Sequence, residues 1–291
     1  MDFIRKLPAI LLAVLLTACG GTHPAPEVDV PDLQTPSAIE VHFIDVGQAD
    51  ATLILCDGQS MLIDGGKRED SSLMYTYLKN LGVTDLDYVV CTHPHEDHVG
   101  GLSGALAYAE VGTVLCSVTA YETESFGNFV KSVAQRGASI TVPQTGERFS
   151  LGGAEVTILY CDGTAENVNN RSIVLRVDHG DTSFLFTGDC EYEVEKQLQE
   201  DGLLRPVTVL QVGHHGSNTS SCYSFLYDTM PVYGVISVGK DNSYGHPHEE
   251  VLSRLRDADV TVYRTDTMGD IVMRGDGTSL TVSTEKTPPH A

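Results

Sequence analysis

The chain has 291 residues, 41% of them hydrophobic, which is enough for a packed core and excludes a disordered polymer. Its formal net charge is −22. Such an acidic body repels polyanions at long range, which counts against an avid nucleic-acid binder but not against an anionic substrate met by a bound dication.

In chain order, Arg5 and Lys6 precede the apolar segment 7–16, which is short for a membrane span and reads as an export signal. Residues 16–20, LTACG, resemble the lipobox of bacterial lipoproteins. That resemblance makes 1–19 a lipoprotein signal peptide with its lipobox cysteine, and implies cleavage before Cys19, a lipid on Cys19, and an anchor on the outer face of the cytoplasmic membrane. The proline-rich stretch 20–38 has neither helical nor strand periodicity and is expected to be a flexible tether. A single folded domain is expected over 39–284, followed by a disordered tail at 285–291.

Within that domain, apolar β-branched runs predict strands at 39–46, 51–56, 60–64, 86–92, 112–116, 139–142, 154–160, 172–178, 182–188, 206–212, 232–238, 260–264, 269–274 and 277–282. Helical periodicity predicts helices at 70–81, 99–109, 123–136, 190–200, 221–229 and 247–257. Strand clusters followed by strand–helix units in both halves favour α/β sheets packed face to face with helices outside. Besides Cys19 there are six scattered cysteines with no CxxC spacing, which read as free thiols more readily than as disulfides.

The chemistry concentrates in THPHEDHVGG, residues 92–101. On an extended segment His93, His95 and Asp97 share a face, while His98 opens the next helix and turns away, so two adjacent metals can be served. Nitrogen and carboxylate ligands without clustered cysteines suit zinc, manganese or iron. Gly100 and Gly101 allow close backbone approach. Further chemistry-bearing residues fall just after predicted strands or at helix starts: Asp189 in FTGD, His214 and His215 in VGHHGS, and Tyr244, His246 and His248 in YGHPH. An imidazole beside a helix N-terminus can bind a phosphoryl oxygen or protonate a leaving group, the role expected of His246 and His248.

The HxHxDH pattern followed by GG is identified as the signature of the metallo-β-lactamase superfamily. FIDVGQADATLI, NNRSIVLRV, FLFTGD, VGHHGS and YGHPH resemble, in order, motifs of the hydrolase domain of ComEC-type competence proteins. The resemblance implies an αββα sandwich with one or two divalent ions, zinc or manganese, between the sheet edges. It assigns His93, His95, Asp97 and His98 to the metals, Asp189 to a bridging position, and one of His214 and His215 to the last histidine ligand. His215 is favoured because a glycine follows it. Asp45 is expected to hold the metal loop in place, with Gln48 and Asp50 in the following turn. The histidine that many two-metal relatives carry between Asp97 and Asp189 is missing, so Asn170 is a candidate substitute through its amide. Asn170 and the nearby Ser172 read equally well as turn residues.

The implied reaction is metal-dependent hydrolysis, with Asp97 orienting or deprotonating the nucleophile. The leading expectation is a phosphodiesterase or nuclease acting on DNA, single strands included. Alternatives are a cell-wall phosphodiesterase such as a phosphorylcholine esterase, a lactonase or β-lactamase, and a non-catalytic surface lipoprotein.

Overall fold

The computed structural model describes residues 37–287, so the signal segment, Cys19 and all but the last two residues of the expected tether lie outside the described residues. Two mixed sheets face one another. The first is built from β1 (Ile39–Phe43), β2 (Thr52–Cys56), β3 (Gln59–Ile63), β4 (Asp85–Cys91), β5 (Glu110–Cys116) and β6 (Ile140–Thr141). The second holds β7 (Arg148–Leu151), β8 (Ala154–Tyr160), β9 (Val174–His179), β10 (Thr182–Phe186), β11 (Val209–Gln211), β12 (Tyr233–Ile236) and β13 (Thr261–Arg264). The chain then returns to the first sheet as β14 (Ile271–Gly275) and β15 (Leu280–Thr284), giving the order β15-β14-β1-β2-β3-β4-β5-β6.

The strand sequences explain this layering through their period of two. In β2 and β3, Ile54, Met61 and Ile63 face the other sheet, where they meet Ile158, Leu175, Phe184 and Phe186 in one buried cluster. Leu53 and Leu62 point the opposite way, onto helices α1 (Ser71–Leu81), α2 (Glu96–Val99), α3 (Leu102–Tyr108) and α4 (Glu124–Gln135). The second sheet is covered likewise by α5 (Tyr192–Glu200), α6 (Tyr223–Thr229) and α7 (Glu249–Asp257), with Leu198, Leu226 and Leu255 facing Leu185 and Leu210. Three apolar interfaces thus separate four layers, the αββα sandwich expected from the sequence.

Several local expectations are corrected. The predicted helix 99–109 is broken at Gly100-Gly101 into α2 and α3. A Cβ on Gly101 would lie 1.9 Å from the Gly65 carbonyl oxygen, so these glycines serve close backbone packing. The sequence pattern did not reveal β7, whose RFSL is too short and polar to stand out, nor the single-turn α8 (Thr265–Met268). At the C-terminus, Glu285 and Lys286 N–H groups bond the carbonyls of Asp270 and Met268, which carries the ordered chain past 284 into the expected tail. The six described cysteines are all free thiols.

Strands β3 to β6 run parallel, as do β10 to β13. The loops leaving β4, β10, β11 and β12 therefore emerge at strand C-terminal ends, where open α/β sheets characteristically place ligands. These loops carry His93 to His98, Asp189, His214-His215 and Tyr244 to His248.

Candidate metal centre

Beyond β4 the chain does not stay extended. It bends through His93–His95 and turns into α2, for which His95 is the N-terminal cap residue. Asp97 thus reaches the centre from a helical turn, and His98, expected to turn away, reaches it from the same turn, fully buried. His93 Nε2 lies 3.0 Å from His95 Nδ1.

Asp189 is the hub. Its Oδ2 is 3.2 Å from His98 Nε2 and 3.8 Å from both His93 Nε2 and His214 Nε2, while Oδ1 is 3.7 Å from His215 Nε2. Two groups of ligand atoms share it, one from His93, His95 and Asp189, the other from Asp50, His98, Asp189 and His215. Asp97 Oδ2 stands 3.5 Å from His215 Nε2.

Burial and neighbouring charge set the ionisation of these groups. Burial lowers His93 well below its ordinary value, helped by the charge on His98. Burial also opposes charge on His98, but Asp189 and Asp64 outweigh it and hold this imidazole well above the usual range. His215, likewise desolvated yet facing Asp189 and Asp50, is held up at about 9. Burial raises Asp97 and Asp189, but the histidines overcome it and keep both carboxylates below the usual range.

Whether a divalent ion suits this set can be judged from polar atoms the protein leaves unsatisfied. His98 Nε2, His215 Nε2 and Asp189 Oδ1 are buried and lack hydrogen-bond partners. Leaving such atoms unpaired is costly, and the two imidazole nitrogens face the Asp189 carboxylate to which the third atom belongs. Imidazole and carboxylate donors so aimed fit a divalent metal, and the chain has a plausible metal-binding cluster.

The supporting contacts correct one assignment. Asp45, expected to hold the histidine loop, instead accepts Gly47 N–H and pairs with Lys286 Nζ at 3.4 Å. The carboxylate that does hold the loop is Asp64, fully buried. It accepts Thr92 N–H at 2.8 Å, the Thr92 hydroxyl at 2.7 Å and His98 Nδ1–H at 2.8 Å, which leaves His98 Nε2 for the centre. The clue was present in Ile63-Asp64-Gly65, an acid directly after a buried strand, as Asp189 nearly is. Asp50 was also missed as part of the centre. It is buried, takes a hydrogen bond from Gln211 Nε2 at 2.8 Å, and is pushed up to about 6 by burial against the pull of His215 and His98.

His214 and His215 do not lie on an extended segment, whose successive side chains would point oppositely. Both adopt left-handed backbone angles (φ 52° and 54°), placing their ring centroids 6.2 Å apart. His215 is buried, and its Nδ1–H donates to the Ser237 carbonyl at 3.0 Å, aiming Nε2 at the carboxylates. His214 is partly exposed, with Nδ1 3.2 Å from Thr219 Oγ1.

Asn170 does not fill the place of the missing histidine. Its Oδ1 accepts Glu191 N–H and its Nδ2 donates to Glu193, so the amide ties down the start of α5. Ser172 is a positioning residue, with Oγ accepting Asp189 N–H at 3.0 Å and lying 3.3 Å from His93 Nδ1. Above the centre opens a cleft of about 350 Å³ lined by His95, Asp97, Asn169, His214, Tyr244 and His246, among others. Gln48 also lines it, with Oε1 accepting Gly239 N–H. His248 does not line it, since its Nδ1 accepts Asn218 N–H.

Residues 44–240 match the family described as Metallo-beta-lactamase superfamily, and the chain belongs to that superfamily. It is 32% identical over 244 residues to Competence protein ComA of Neisseria gonorrhoeae, covering 82% of this chain and 33% of that one. It is 31% identical over 240 residues to Recombination protein 2 of Haemophilus influenzae (80% and 28%) and 29% identical over 254 residues to ComE operon protein 3 of Bacillus subtilis (81% and 33%). The chain thus spans about a third of the length of these curated relatives, and the ComEC-type resemblance is upheld. Among solved structures, the metallo-beta-lactamase fold protein YhfI of Bacillus subtilis superposes with a TM-score of 0.53 at 13% identity, covering 82% of this chain and 100% of that one. CmlA, a diiron beta-hydroxylase from Streptomyces venezuelae, gives 0.54 at 16% identity, with 83% and 55% covered. At these identities the likeness is one of fold.

Proposed function

We propose that the chain is a metal-dependent phosphodiesterase acting on DNA strands or related phosphodiesters outside the cytoplasm, anchored by a lipid on Cys19. The observation that carries the reading is the pair of ligand groups sharing Asp189 at the floor of a cleft whose wall bears His214 and His246. The names of two relatives, tied to competence and recombination, motivate DNA as the substrate.

His93, His95 and Asp189 would hold one ion, zinc or manganese, and Asp50, His98, Asp189 and His215 a second, with Asp97 beside His215. Such ions supply Lewis acidity toward the phosphoryl oxygens and lower the pKa of water. Asp97, which lines the cleft 3.5 Å from His215, is placed to orient the attacking water and accept its proton. His246 is pushed down to about 4 by burial and by His214 and His215. It is therefore neutral near pH 7 and serves as a hydrogen-bonding group toward a phosphoryl or leaving oxygen. His248 acts at one remove, bracing the loop that carries His214 through Asn218. With Glu96, Asp97 and Asp189 in the cleft, a polyanion is repelled until cations are bound there, which couples substrate binding to metal loading.

The test is hydrolysis of bis-p-nitrophenyl phosphate and end-labelled single-stranded DNA by the purified chain with manganese, beside Asp97→Asn. Activity on either substrate, lost in the variant, is the expected result. Metal-loaded protein that leaves both intact sinks the reading. The anchor is tested separately by membrane fractionation, where Cys19→Ala should release the protein from the membrane.

A further inference from the structure

Tyr244 presents an aromatic face at the cleft and is 65% exposed. Its ring lies nearly parallel to that of His246, 26° apart with centroids at 5.6 Å. His246 in turn sits edge-on to His214 at 5.7 Å. The exposed ring is thus one imidazole removed from the histidines of the centre.

The loop carrying this ring is held by one side chain. Asn242 Nδ2 donates to the carbonyls of Gly239 and His246 at 2.9 and 2.6 Å, while its Oδ1 accepts the N–H groups of Tyr244 and His246 at 3.2 and 3.0 Å. Gly239 is further tied to Gln48 across the cleft. A platform held this way loses little conformational freedom when a ligand lands on it. Of the two amides lining the same cleft, Gln48 Oε1 is bonded to Gly239 N–H and Asn169 Nδ2 to Glu191, which leaves Gln48 Nε2 to donate and Asn169 Oδ1 to accept at a base edge.

We infer that Tyr244, backed by His246, is a stacking platform for a nucleobase beside the scissile phosphate, so that the substrate class is a nucleotide-bearing phosphodiester. This rests on the hydrolytic reading of the adjoining centre. A planar π-face next to a site that would hold divalent cations, and through them a phosphate, is the combination by which single strands are held without sequence preference. A quaternary ammonium group fits less well, because its recognition uses several aromatic faces and, among the described residues, Tyr244 is the one phenol ring lining the cleft.

The experiment is calorimetric binding of thymidine 5′-monophosphate, deoxyribose 5-phosphate and phosphorylcholine to the manganese-loaded chain, repeated with Tyr244→Ala and Tyr244→Phe. Thymidine monophosphate should bind roughly ten-fold or more tighter than the abasic sugar phosphate. Tyr244→Ala should erase that gap, and Tyr244→Phe should keep it. Equal binding of the two, equal weakening of both by Tyr244→Ala, tighter binding of phosphorylcholine, or no binding at all overturns the inference. Cleavage of bis-p-nitrophenyl phosphate by the same preparation reports separately on the phosphodiesterase reading. A binding gap without cleavage sinks that reading and leaves the platform standing, whereas cleavage without a gap does the reverse.

Discussion

His98 Nδ1 lies 2.8 Å from Asp64 Oδ2, and both side chains are wholly shielded from water. The same carboxylate receives two hydrogen bonds from Thr92, so a single acid orients a ligand histidine and ties it to the end of β4. Removing one partner of such a buried pair typically costs about 3–5 kcal/mol. Asp64→Ala should lower the melting temperature by roughly 10 °C. A melt within a degree or two of wild type would show that Asp64 does not hold the loop.

Ser172 offers a milder perturbation of the same centre. Its hydroxyl supports both His93 and the backbone of Asp189, and loss of such an outer contact commonly weakens metal binding by about 10–100-fold. Ser172→Ala should show a loss of that order in equilibrium dialysis against manganese, with the far-ultraviolet spectrum unchanged. His215→Ala should lose more affinity than His214→Ala, because only His215 directs a buried, unpartnered nitrogen at the carboxylates.

Metal binding should release protons. His98 and His215 are held in their charged forms by surrounding carboxylates, and a charged imidazole cannot coordinate a metal. Affinity should therefore climb with pH through neutrality toward about 9, the value for His215. The sign for the metal-free protein is opposite. A raised histidine contributes stability that is full below its unfolded value of 6.5 and is lost as pH rises toward 9. His93, His95 and His246 are lowered, so their contribution is full above 6.5 and falls away only in more acid solution. Calorimetry in two buffers of different ionisation enthalpy counts the released protons, and a count of zero contradicts the assignment.

Two glycines form a contrast. A Cβ at Gly101 meets the Gly65 carbonyl oxygen at 1.9 Å, so Gly101→Ala must shift backbone and should cost at least the ~1–3 kcal/mol of ordinary overpacking. At Gly127, inside α4, nothing lies within 4 Å of the added carbon. Gly127→Ala should stabilise by about 0.4–1 kcal/mol through helix propensity. Urea denaturation of both variants checks the pair, and similar midpoints would contradict it.

Much of this was legible before any coordinates. Apolar runs marked β2 and β3 as strands, the order of strands and helices favoured two facing sheets with helices outside, and the crowding of His93 to His98 declared a metal centre, because such groups have no reason to cluster after a buried strand unless something binds them. Asp50 and Asp64 were not legible as part of it. A lone acid beside an apolar run has the same sequence appearance whether it caps a turn, as Asp45 does, or lies beneath two histidines.

The sequence by itself determined the four-layer order and the ligand types, since periodicity and residue chemistry are local properties of the chain. Tertiary structure alone decided which carboxylates support the histidines, which member of His214-His215 faces inward, and that Asn170 turns to α5 rather than to the centre. Those outcomes depend on contacts between residues far apart in the chain, such as Thr92 with Asp64 or His215 with Ser237, and on left-handed backbone angles that tertiary packing imposes.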